Sequence, residues 1–143
     1  MNADDVIANR LKHLAECLDE LRSFSVHARS FEAYRANRML RRAVERTLQV
    51  AIETCLDIGS HLISAEGFRY PETNREVFAI LHEEGVLTDQ ATECLLQMAA
   101  FRNILVHEYV RVSDPIVYRV LKERLGDLEG FAHEVVLWIE RGG

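Results

Sequence analysis

Arg102-Asn103-Ile104-Leu105-Val106-His107-Glu108-Tyr109 sets an arginine, an asparagine and a histidine in an apolar run. Nearly every other residue between Met98 and Val112 is apolar, so the segment is expected to be a helix packed against other helices. Burying an arginine, an asparagine and a histidine in such a run is costly unless they are paired or face a cleft. Asn103 and His107 fall one turn apart on one face. Arg102 and His107 are five residues apart, which turns them about 140° around the axis. A regular helix cannot aim both at one atom. Either the helix ends or bulges between them, or Arg and His converge across a two-fold axis with a second copy. A third reading competes: an arginine paired with a core acid, beside a satisfied histidine, is purely structural.

Outward from this stretch the chain reads as helices throughout. Upstream, Asp89 is the expected cap of the same helix, and Gly85 ends a short one that Thr73 and Glu76 open as a capping box. Before that, Leu40, Val44, Leu48, Ala51, Cys55, Ile58 and Leu62 form one stripe. They predict a long helix from near Phe31 or Ala36 to about Ala65, closed by Gly67. A first helix is expected from about Asp4 to Leu21, with a turn between Ser23 and Ser30. Downstream, Ser113-Asp114-Pro115 starts a last helix, with a kink expected near Gly126 or Gly130. The fold class is therefore all-α, a helical bundle of about five helices with residues 1–143 as one domain.

The chain's 143 residues suffice for a real core. A composition 48% hydrophobic and 28% charged excludes a disordered chain. No apolar run is long enough to span a bilayer, and Met1-Asn2-Ala3-Asp4-Asp5 does not resemble a signal peptide, so no membrane role and a cytoplasmic location are expected. Cys17, Cys55 and Cys94 are far apart among apolar residues and read as reduced thiols. The net charge of −6 argues against a general nucleic-acid coat. Positive charge is nevertheless almost all arginine, which favours bidentate phosphate contacts. Five arginines lie between Arg35 and Arg46; Arg35, Arg38, Arg42 and Arg46 fall on roughly one face. They are a solvated face or a contact surface for RNA or a partner.

No Walker loop, GxGxxG or HExxH is present, and no cofactor or metal site is expected. What remains is Arg102 with His107. Histidine, with an unperturbed pKa of about 6.5, can move a proton near neutral pH. An arginine fork can hold a phosphate and stabilise charge growing on its oxygens. Together they suit RNA cleavage by the ribose 2′-hydroxyl.

The form Arg-x4-His-x-Tyr, with polar Asn103 directly after the arginine, resembles the signature of HEPN-domain ribonucleases, and most of all the HepT toxin branch. Glu45 to Ile58 with His61-Leu62, and Tyr70 to Phe78, extend the resemblance over most of the chain. It implies a homodimer whose two motifs share a cleft. In that cleft His107 would act as general base or acid, Arg102 would bind the scissile phosphate and Asn103 would orient either. It also implies a metal-independent toxin ribonuclease paired with a nucleotidyltransferase antitoxin of the MntA type. That partner adenylylates Tyr109, adding charge and bulk to the RNA cleft; assembly beyond the dimer is left open. The alternative is a non-catalytic HEPN-fold subunit that positions nucleotide or substrate for such a transferase.

Overall fold

Four side chains divide the chain where they close helix N-termini. Ser30 Oγ accepts from Ala33 N at 3.1 Å and Asn37 Oδ1 from Leu40 N at 3.0 Å. Thr73 Oγ1 accepts from Glu76 N at 3.2 Å and Thr88 Oγ1 from Ala91 N at 3.2 Å. Each such cap is worth about 1 kcal/mol against alanine. The structure is a computed structural model and describes residues 2–107 and 112–142. Its helices are α1 (Ala3–His27), α2 (Phe31–Ala36), α3 (Arg38–Glu66), α4 (Asn74–Glu83), α5 (Asp89–His107), α6 (Asp114–Glu123) and α7 (Leu125–Glu140). Among the described residues there is no strand.

The all-α bundle is as expected, with finer division. The first helix continues past Leu21 to His27, because Phe24 and Ala28 still find apolar neighbours in the core. The long helix is cut at Asn37, whose cap bond starts α3 anew and leaves Phe31–Ala36 as a separate turn and a half. Thr88, not Asp89, caps α5. The last helix breaks at Arg124 rather than at a glycine: Arg124 Nε donates to Asp127 Oδ2 at 2.6 Å and Asp127 N to Arg124 O at 3.1 Å. Gly126 and Gly130 sit inside α7.

Helix α3 is the central pillar and packs against each of the other six. It runs antiparallel to α1: Arg10 pairs with Asp57, while Asp4 lies with Leu62 and Glu66 at the other end of the groove. Its side facing α4 is narrowed at Gly59, where an added Cβ would stand 2.6 Å from Val77 Cγ1. Phe78 of α4 meets Phe131 of α7 edge to face, centroids 5.7 Å apart, both fully buried. Gly67 takes φ 71°, the left-handed cap that turns the chain off α3. Cys17 and Cys55 are buried and Cys94 half-buried, all three as free thiols. Burial pushes the Cys17 and Cys55 thiols up, which keeps them protonated and inert.

Candidate active site at the end of helix α5

Helix α5 runs unbroken from Asp89 through His107. Its apolar side buries Leu95, Met98, Ala99, Phe101 and Leu105 against the core. Arg102 is consequently held at the edge of that buried side, whereas Asn103 and His107 are exposed. His107 is the last described residue of the helix. Of the two ways to reconcile Arg102 with His107, an end or bulge between them is thereby excluded. The two side chains leave one regular helix about 140° apart. Tyr109 lies outside the described residues.

Arg102 crosses from α5 to α3. Its Nε and Nη2 donate to the same oxygen of Glu53, Oε2, at 2.9 and 2.7 Å, and its Nη1 donates to Asn103 Oδ1 at 3.2 Å. The arginine side chain is 20% exposed and that of Glu53 35%, so the pair is only partly withdrawn from water. An arginine with a purely structural role would also find an acid, and this one does so while keeping part of its side chain in solvent.

Glu53 also lines a groove of about 590 Å³ between α1 and α3, with Arg10, His13, Arg46, Val50 and Asp57. Arg10 Nε donates to Asp57 Oδ2 at 2.6 Å, and His61 Nε2 lies 3.6 Å from the other oxygen of Asp57. Asp57 and His61 are thus local partners of each other. From the sequence alone Glu53, like Asp57 and His61, reads as an interface polar group and not a catalytic one; its bond to Arg102 is what that reading misses. Its signal was faint: an acid on an apolar-flanked helix, 49 positions from the arginine it holds.

The arginine run is split by the break at Asn37. Arg35 belongs to α2, while Arg38, Arg42 and Arg46 follow one another at single-turn spacing on the exposed side of α3. Glu53 continues the same stripe, so the row leads towards Arg102. Among the described residues none of these four arginines forms an ion pair within 4 Å. Arg41 is different: it turns inward towards Asp114 at 3.9 Å. Glu45 is half-buried, and burial first, then Asp114, raises its carboxyl above the ordinary range against the pull of Arg42 and Arg41. Among the described residues no group of three or more His, Cys, Asp or Glu side chains is placed to hold a metal ion. No helix among them is long and apolar enough to cross a membrane.

A family model described as ribonuclease HepT-like matches residues 14–135. The chain is 27% identical over 128 residues to the mRNA nuclease HepT of Shewanella oneidensis, covering 90% of this chain and 94% of the other. It is 30% identical over 116 residues to the tRNA nuclease HepT of Aphanizomenon flos-aquae, covering 81% and 78%. Among solved structures it superposes with TM-score 0.86 and 26% identity on a tri-AMPylated Shewanella oneidensis HEPN toxin in complex with an MNT antitoxin, covering 96% and 99%.

Proposed function

Because this chain belongs to the ribonuclease HepT-like family, we propose that it is the toxin ribonuclease of a toxin–antitoxin pair and cuts RNA with Arg102 and His107. The observation that carries the reading is Arg102 itself, fixed by Glu53 at the rim of the bundle beside an exposed histidine on the same helix end. The ribose 2′-hydroxyl attacks the adjacent phosphorus, the bond to the 5′-oxygen breaks, and the ends are a 2′,3′-cyclic phosphate and a 5′-hydroxyl. His107 takes the proton from the 2′-oxygen or gives one to the leaving oxygen. Arg102 holds the phosphate and the charge that grows on it, and Asn103 orients the neighbouring group.

One copy cannot aim both side chains at one phosphorus from a regular helix. A homodimer supplies the missing half, Arg102 of one copy meeting His107 of the other. The row Arg38, Arg42 and Arg46 gives the strand a cationic track towards that point, or gives the antitoxin a surface to hold; Arg35 extends it from α2. Neither role needs a cofactor. Incubating the protein with total RNA in EDTA should therefore leave cleavage intact, with cyclic phosphate at the new 3′ ends. Cleavage that appears only on adding magnesium would sink this mechanism.

The relative solved with an MNT antitoxin carries AMP groups. For this chain the proposal is that a nucleotidyltransferase antitoxin of the MntA type adenylylates Tyr109, two residues past His107. Added phosphate charge beside a phosphate-binding site repels RNA. Tyr109→Phe should keep RNase activity but escape the antitoxin, as read by mass spectrometry of the 102–111 region after incubation with transferase and ATP. A nucleotidyl group still found on that region of the variant would remove Tyr109 from the scheme.

A further inference from the structure

Arg102 has five N–H donors. Nε–H and one N–H of Nη2 go to Glu53 Oε2, and one N–H of Nη1 goes to Asn103 Oδ1. Among the described residues two remain, one on each terminal nitrogen. Nε–H and the neighbouring N–H of Nη2 make the side edge of the guanidinium; the end-on edge, between Nη1 and Nη2, is the other one that grips two oxygens of a phosphate side by side. Glu53 therefore occupies the side of the fork and leaves its front open. If it plugged the site, it would take the front instead.

From this we infer that Glu53 is a positioning residue for RNA cleavage, acting through Arg102; the inference rests on the reading of Arg102 given above. Glu53 sits in the middle of α3, the helix that every other helix braces. Its carboxylate is carried by the helix that all six others contact. An arginine on a helix end has several free torsions, and each must be fixed before the fork can meet a phosphate squarely. Gripping Nε and Nη2 with one oxygen fixes the plane of the guanidinium and the direction of its front edge. Asn103 Oδ1 accepts from the third nitrogen, Nη1. Glu53 also partly offsets the arginine's charge, so the fork prefers the extra negative charge of the transition state less through long-range attraction than through aligned hydrogen bonds. No proton needs to move on Glu53, and it touches no reacting atom.

The test uses the full chain and a 5′-labelled single-stranded oligoribonucleotide of mixed sequence. Variants are Glu53→Leu, Glu53→Gln, Arg102→Ala and Glu53→Leu/Arg102→Ala, each checked by thermal melting. Glu53→Leu should lower kcat about ten-fold or more while KM moves much less, because a misaimed fork costs most in the transition state. Glu53→Gln keeps an oxygen for Nε and Nη2 and should recover most of that loss, with an unchanged pH–rate profile. The double variant should be no slower than Arg102→Ala alone. Wild-type kcat in Glu53→Leu, losses that multiply in the double variant, or a pH limb lost in Glu53→Gln each overturn the positioning role. Wild-type cleavage by Arg102→Ala overturns the reading of the site instead.

Discussion

His107→Ala should lower the rate of RNA cleavage about 10³-fold, and Arg102→Ala about 10²- to 10³-fold, in a protein that still folds. Neither side chain supports the core. His107 is exposed at the last turn of α5, so truncating it removes an imidazole and little packing. Arg102 is tied to Glu53, and its loss leaves a carboxylate that is still 35% exposed and can take water as a partner. The melting temperature should therefore move by only a few degrees in either variant while turnover collapses. Because the two groups act on one phosphate, the double variant should be hardly slower than the worse single one. Expression in bacteria offers the same measurement in another form: growth arrest by the wild type, none by either variant. A His107→Ala protein that cuts RNA at the parental rate would reduce the whole motif to a packing device.

The largest effect on stability is expected far from that end. Phe78→Ala removes a fully buried ring from the joint between α4 and α7, where it stands edge to face against Phe131 at 5.7 Å. The lost transfer energy and the remaining cavity should cost about 3–5 kcal/mol. For a domain of this length that lowers Tm by on the order of 10 °C. Phe78→Leu refills much of the space and should cost clearly less. Denaturation in urea with an unchanged slope separates a packing loss from a change in the unfolded chain. Equal stability of Phe78→Ala and the parent would mean that α4 does not seal the core as described.

How much of this could be read beforehand depended on the range of the interaction. The signature on one helix, the cap at Thr73, the glycine closing α3 and the start at Ser113 to Pro115 are all encoded within a few residues, and they were legible. Asn37 carried an equally local signal, but the apolar stripe from Leu40 onward matched a longer helix, and periodicity hid the cap. The same happened at Arg124, where glycines drew the expected kink two to six residues too late. The partnership of Arg102 with Glu53 spans 49 positions, and no local pattern announces it. Sequence showed that the arginine needed a partner; only the packing of α5 on α3 named one.

All six neighbouring helices lean on the same pillar, and their buried apolar side chains join in one continuous core. Such an arrangement has few stable halfway houses between the intact bundle and the open chain. A toxin built this way would be cleared from a cell all or none: proteases would meet either a closed, durable molecule or a fully digestible thread. How long its potency lasts would then be set by how often the whole pillar lets go.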